Sequence, residues 1–333
     1  MSNETFRLSI GSIFLFLCRY NGSIYVFSAG LGGKFLDMDV SVIIVNYNTK
    51  DFTRNCIESV FAQTTGVSFE VILVDNASTD GSVEFFKKDN RIRFVESGEN
   101  LGFGKANNLG YQYASGDYIF LLNSDTLLLN NAVKLFYDKM ETADIHIGCM
   151  GCLLQDKNRR YIHSYAEFPK VEHMLYTNVC SSGFKYLGWR EMKMDDPLLR
   201  EINPSFFQVD YVTGADLFIR RNVIEKCGLF DPDFFMYYED PELQYRFHRD
   251  GYFSFIFDAP QIMHLEGKSS ENTVSAKMGL IKFDSALLYM SKTQSRWKFL
   301  LLKFLLWLKC PYTFFRHKYT REQRLMYVKS LMK

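Results

Sequence analysis

Apolar and polar positions alternate between two regimes along most of this chain. Short β-branched or apolar runs end abruptly in polar residues, and stretches with apolar residues at helical spacing follow them. Asp39 to Asn48 is the first such run and predicts a buried strand. Thr49 to Gln63 carries Phe52, Cys56, Ile57, Val60 and Phe61 at helical spacing and predicts a helix returning across the sheet. A second strand is expected over Phe69 to Asp75, a short helix over Val83 to Lys88, a third strand over Ile92 to Glu96 and a helix running to Ala114. The fourth strand, Tyr118 to Leu122, runs into Asn123-Ser124-Asp125-Thr126 and organises the rest. Strands alternating with helices predict a parallel sheet with right-handed crossovers.

Beyond this core the pattern loosens. A helix is expected over Asn131 to Glu141, then strand, turn and strand over 145–168. Residues 170–208, with scattered aromatics, Pro197 and Pro204, read as an irregular surface insertion. Val209 to Arg220 reads as one strand, Arg221 to Cys227 as a short helix closed by Gly228, and Pro241 to Asp250 as a helix closed by Gly251. Phe253 to Phe257 is the last strand, and His264 follows it. The Gly102-x-Gly104 loop does not fit a dinucleotide fingerprint, because it follows the third strand and Asn107 occupies the third glycine position.

The two ends differ from the middle. Leu8 to Cys18 is apolar but too short to span a bilayer. Residues 1–37 are read as an upstream extension with Met38 as the start, a short membrane anchor being the rival reading. At the other end, eleven Lys/Arg and one acid follow from Lys292 onward, so that segment is +10 and the remainder −9 for a net +1. Arg296 to Lys309 combines Trp297, Trp307 and Leu/Phe bulk with lysines and is too short to span. It predicts an interfacial helix, with a packed core helix as the alternative.

Composition narrows the classes. At 333 residues and 47% hydrophobic, the chain suits one large domain with appendages, and a net charge of +1 gives no argument for nucleic acid. Seven cysteines without framework spacing, Cys149-x-x-Cys152 among them in an apolar run, read as buried thiols in a reducing compartment.

Polar clusters carry the chemistry: Asn46-Tyr47-Asn48, Asp75-Asn76, Asn123-Ser124-Asp125 and Glu239-Asp240. Three of them follow consecutive parallel strands and converge on one sheet edge, where open α/β sheets bind ligands. Converging carboxylates need a compensating cation, and a divalent metal clamping a diphosphate is the economical solution.

These motifs, with Asn100-Leu-Gly-Phe-Gly-Lys-Ala-Asn-Asn108 and Phe235-Met-Tyr-Tyr-Glu-Asp240-Pro-Glu-Leu243, resemble a family 2 glycosyltransferase of GT-A fold, most similar to its rhamnosyltransferase-like branch, over roughly residues 39–270. The resemblance implies an α/β, Rossmann-like nucleotide-sugar-binding fold with a mainly parallel central sheet over 38–270; the basic 271–333 segment lies outside it and is read from its own residues as helical and membrane-associated. It implies Val45, Asn46 and Tyr47 beside the nucleobase and Asp75 and Asn76 at the base. Asn100, Lys105 and Asn108 would lie by the nucleotide or sugar, with Asn123 and Ser124 next to them. Asp125 would be the last member of the Asp-x-Asp metal motif, whose first position is Asn123 here, and His264 the second ligand of Mg²⁺ or Mn²⁺. Asp240 would be the base of an inverting reaction, with Glu239 holding the acceptor or bracing the loop; acids before Pro241 also suit a plain helix N-terminus, and if that alone explains the pair Asp216 is the next candidate base. The implied partners are a nucleotide-diphosphate sugar and a glycan or lipid-linked glycan acceptor at the inner face of the cytoplasmic membrane. A sugar-phosphate nucleotidyltransferase and a catalytically inactive nucleotide-sugar-binding protein are the rival readings.

Overall fold

The computed structural model describes residues 5–10, 13–20, 23–30, 38–175, 205–265, 276–315 and 320–332. Most of the 170–208 insertion, and Gly267 to Ser270 after His264, lie outside them. The chain divides into two compact units, Met1–Asp37 and Met38–Lys333. In the first, β1 (Thr5–Ile10), β2 (Ile13–Tyr20) and β3 (Ser23–Gly30) form an antiparallel sheet in the order β1-β2-β3.

The second unit opens with β4 (Val40–Asn46), α1 (Lys50–Gln63), β5 (Phe69–Asp75), α2 (Ser82–Phe86), β6 (Arg93–Glu96), α3 (Phe103–Tyr111) and β7 (Tyr118–Asn123). The expected strand–helix alternation is present. Next come β8 (Thr126–Leu128), α4 (Ala132–Thr142), β9 (Ile147–Gly151), β10 (Tyr165–Ala166) and α5 (Val171–Leu175). After the undescribed segment follow β11 (Phe206–Val209), β12 (Tyr211–Val212), β13 (Asp216–Arg220), α6 (Arg221–Cys227), α7 (Glu239–Arg249), β14 (Phe253–Phe257) and β15 (Ile262–His264). Three helices close the chain: α8 (Ala276–Thr293), α9 (Arg296–Phe315) and α10 (Arg321–Met332).

Eight strands form the central sheet in the order β11-β14-β9-β13-β7-β4-β5-β6. The β7-β4-β5-β6 half is parallel, as is the β14–β9 pair, whereas β13 runs antiparallel to both its neighbours. This is an α/β fold with a mainly parallel sheet.

Alternate residues of each strand serve opposite layers, as the pleat requires. Val42, Ile44, Leu73 and Phe120 pack on one side with Ile57 and Val60 of α1 and Phe136 and Met140 of α4. Ile43, Ile72, Val74 and Leu121 pack on the other with Ala106 of α3, Val223 and Ile224 of α6, and Leu243 and Phe247 of α7. Both faces are therefore dry, which is why the strands read as unbroken apolar runs. A third cluster joins Tyr289 and Met290 of α8 to Leu302 and Leu306 of α9 and Leu331 of α10.

The expected single strand from Val209 to Arg220 is in fact three pieces. Gly214 explains the break: a Cβ there would collide with the Asp240 carboxylate, so the chain leaves its ladder to pass close to α7. Cys149 and Cys152 are free and fully buried, in agreement with the reading of structural thiols, and burial pushes the Cys149 thiol up to about 12.

Candidate active site

Register places the polar strand ends together. Asn46 pairs with Asp75, and Val45 with Asn123, across parallel strands, so all emerge at one sheet edge. Because β13 runs antiparallel, its beginning reaches this edge: Asp216 lies opposite Leu122, and the Asn123 amide donates to the Ala215 carbonyl (2.9 Å).

On the β4–β5 side the polar groups bind one another. Buried Asn46 donates from Nδ2 to Asp75 Oδ1 (2.7 Å) and to Ser78 Oγ (2.9 Å), while its Oδ1 accepts from Thr53 Oγ1 (2.7 Å) and Thr49 Oγ1 (2.9 Å). The second Asp75 oxygen accepts from the Ser78 amide (2.9 Å). Asn46 is thus a bracket that holds Asp75, with its own side chain fully used. Asn76 similarly donates to Asn100 Oδ1 (3.1 Å) and accepts from the Leu101 amide (2.9 Å), fixing the loop into α3. Asn108 exchanges both its amide bonds with the backbone of Phe230 (2.7 and 3.0 Å). Val45 is half-buried, Lys105 exposed, and Tyr47 stands out of the surface at 47% exposure, its ring free to stack. Ser124 Oγ meets Thr49 Oγ1 at 3.1 Å.

Gly102 joins this side to the next. It sits at φ +81°, and a Cβ would strike the Phe235 carbonyl oxygen, which accepts the Phe103 amide at 3.1 Å. Only glycine lets the α3 loop rest on the segment that leads to Glu239.

The two expected metal ligands meet. β15 pairs with β8 so that His264 faces Thr126, and His264 Nε2 lies 3.1 Å from Asp125 Oδ1. Both side chains are about one-sixth exposed, at 16% and 17%. A carboxylate with an imidazole is a donor set that fits Mn²⁺ or Mg²⁺ when phosphate oxygens complete the shell. Among the described residues no three His, Cys, Asp or Glu side chains converge as a metal site, so the rest of the shell falls to a diphosphate and water.

The third part is the start of α7. Asp240 Oδ2 accepts the Gly214 amide at 3.0 Å, and Oδ1 is buried without a partner. Glu239 is buried too, its Oε2 also unpartnered, and its Cβ lies against the Gly104 position of α3. Burial raises both carboxyls above the usual range. The adjacent Asp240 charge adds to the effect at Glu239. Tyr237 and Tyr238, just before them, hold left-handed φ values of 69° and 67°, a strain that the surroundings must impose. Asn48 and Ala77, past the ends of β4 and β5, share this conformation, so four of the five non-glycine outliers among the described residues border the site. Asp216 is wholly buried. One of its oxygens accepts the Cys152 amide (2.7 Å) and the other has no partner, and burial pushes its carboxyl up to about 7 against the lowering influence of Cys152 hydrogen bonding and, less, of His264.

Sequence reasoning did not single out Gly214 or the Tyr237–Tyr238 strain. Glycine before Ala-Asp in a β-run is the signal available for the first; nothing local marks the second.

The fold is of GT-A type. A mannosyltransferase from Pyrobaculum calidifontis, solved in complex with GDP-Man and Mn²⁺, superposes with TM-score 0.51 at 15% identity, covering 90% of this chain and 75% of that one. Residues 41–203 match the family model "Glycosyl transferase family 2", and the chain carries a family 2 glycosyltransferase domain. Glycosyltransferase GlyG of Streptococcus pneumoniae is 35% identical over 115 residues, 33% of this chain and 38% of that protein. The N-acetylglucosaminyl-diphospho-decaprenol L-rhamnosyltransferase of Mycobacterium tuberculosis is 23% identical over 239 residues, 68% of this chain and 76% of its own. The chain spans well under half the length of several curated relatives it matches, at 38%, 20% and 26%.

Proposed function

We propose that this protein is a metal-dependent, inverting glycosyltransferase that moves a sugar from a nucleotide-diphosphate sugar to a glycan or lipid-linked glycan acceptor. The observation that carries the reading is the buried Asp240 carboxylate. It is braced on one oxygen by the amide of Gly214, the residue before Ala215 whose carbonyl accepts the Asn123 amide of the Asn123-Ser124-Asp125 turn, and is unpartnered on the other.

The chemistry divides among the residues. Exposed Tyr47 stacks on the nucleobase, Asp75 receives its polar edge, and the Asn76–Asn100 clasp keeps the α3 loop beneath the sugar. Asp125 and His264 hold the divalent metal, which when bound neutralises charge on the diphosphate. The acceptor hydroxyl attacks the anomeric carbon from the face opposite the diphosphate. A carbon–oxygen bond forms as the bond to the diphosphate breaks, and Asp240 takes the hydroxyl proton. Glu239, beside it, holds the acceptor or braces the loop.

Deoxythymidine-diphospho-rhamnose is the first donor to test, supported by motif resemblance and by the rhamnosyltransferase relative. The acceptor is placed at the inner face of the cytoplasmic membrane, and nucleic acid is not a partner. A panel of nucleotide sugars, read by nucleoside-diphosphate release with and without Mn²⁺, tests the assignment. Release from one donor that disappears in Asp240→Asn is expected. Binding without release by the parent protein would instead indicate an inactive binding protein. Pyrophosphate formation from a nucleoside triphosphate and a sugar phosphate would indicate a nucleotidyltransferase.

A further inference from the structure

Helix α9 is apolar on two opposite sides, and among the described residues only one is packed. Leu302 and Leu306 are fully buried against α8 and α10, with Phe299 packed beside them. Trp297, Leu300, Leu301, Phe304, Trp307 and Leu308 are between 45% and 81% exposed. At about 100° per residue these six fall within an arc of roughly 120°, opposite the buried side. Their exposed area is on the order of 700 Å², beyond the usual patch of a monomeric surface. A core-packing role accounts for the buried side alone.

Charge identifies what covers the other side. Arg296 and Lys303 border the stripe along one flank and Lys298 along the other, where Lys298 also reaches Glu172 of α5 (3.1 Å). The segment from Lys292 onward is +10 in a chain of net +1. A Trp-rich apolar stripe between basic flanks matches an anionic bilayer surface, with rings in the acyl boundary and cations among the headgroups. Among the described residues no helix is long and apolar enough to cross a membrane. We propose that this face of α9 lies flat on an anionic lipid surface.

The proposal rests on the glycosyltransferase reading for its purpose, because it gives the side from which the acceptor arrives. Helix α8 links α9 to the catalytic segment: Lys292 pairs with Asp231 and Asp233 (both 2.6 Å), Ser285 Oγ donates to the Met236 carbonyl (2.7 Å), and Tyr245 of α7 donates to the Thr293 carbonyl (3.0 Å). A cavity of about 490 Å³ between these helices shares Phe299 and Lys303 with α9 and Asp233 and Phe235 with that segment. A membrane under α9 therefore lies one helix away from the residues preceding Glu239 and Asp240.

Co-sedimentation of the full chain with phosphatidylglycerol vesicles, beside phosphatidylcholine vesicles, tests this. Binding is expected to the anionic vesicles, weaker by more than tenfold to the neutral ones and weakened by salt. Trp297→Glu with Phe304→Glu, both on the exposed side, is expected to lower anionic binding at least tenfold while leaving thermal unfolding and nucleotide-sugar binding unchanged. Absence of anionic binding, or binding that survives the double substitution, overturns the proposal. A dimer that the same substitutions dissolve, with no vesicle binding, overturns it in favour of a second copy. Vesicle binding with no nucleoside-diphosphate release from any donor would sink the glycosyltransferase reading and leave the docking face standing.

Discussion

The two halves of the site treat polar atoms in opposite ways. Around Asp75 the side-chain bonds close on each other: Asn46, Ser78, Thr49 and Thr53 leave no atom of the Asn46 amide unused. Around Asp240, buried carboxylate oxygens of Asp216, Glu239 and Asp240 have no partner, and two tyrosines are held in left-handed backbone. Burying a polar atom unpaired costs about 1–3 kcal/mol, more when it is charged. The first half is built for rigidity and the second stores cost. The contrast suits a donor pocket that must be preformed beside an acceptor pocket whose acids must stay reactive.

The largest effect is expected at Asp240. Asp240→Asn should lower turnover about 10²–10⁴-fold at saturating donor and acceptor, the usual loss of a general base, with donor affinity near normal. Glu239→Gln should raise the acceptor's KM more than it lowers turnover. Swapped results would exchange the two roles, and unchanged turnover in both would move the base to Asp216.

Metal binding comes next. Asp125→Ala should abolish metal-dependent donor binding, read by calorimetry with Mn²⁺, because it removes the only carboxylate of Asn123-Ser124-Asp125. His264→Ala, losing a neutral ligand, should weaken it less. Activity that persists in saturating chelator would remove the metal from the reading.

Asn46→Ala should act on the other half, through stability. It strands donors and acceptors around Asp75 in a buried place and should cost on the order of 3 kcal/mol in denaturant unfolding. A loss below about 1 kcal/mol would erase the distinction between the halves.

A pH series separates them without substitution. Burial raises both Glu239 and Asp240 above their unfolded values. Raised carboxyls contribute stability that is fully present below the unfolded pKa and is lost as pH climbs through the folded pKa. The base needs the opposite state. Between the ordinary carboxylate range and neutrality, turnover should therefore rise while stability falls; Asp240→Asn should flatten the turnover trend but leave part of the stability trend, which buried Glu239 and Asp216 still carry. The smallest effect is expected for a chain beginning at Met38: residues 1–37 form a separate unit, so nucleotide-sugar binding should be unchanged. Loss of folding there would refute that division.

Periodicity alone determined the strand–helix alternation from Val40 to Asn123, because strands dry on both faces must be continuous apolar runs and helices covering them must carry apolar residues at helical spacing. The same reading placed polar residues at the carboxyl ends of three parallel strands, since parallel register leaves no other edge for them. Only the tertiary structure decided what each does there. Asn46, Asn76 and Asn108 spend their amides on neighbours distant in sequence, whereas Asp240 keeps an oxygen free because Gly214, in the turn between β12 and β13, supplies only one amide. The break in the Val209–Arg220 run, the antiparallel course that carries Asp216 to the site and the meeting of Asp125 with His264 are likewise long-range. They depend on which strand lies beside which, and local hydrophobic pattern carries no information about that choice.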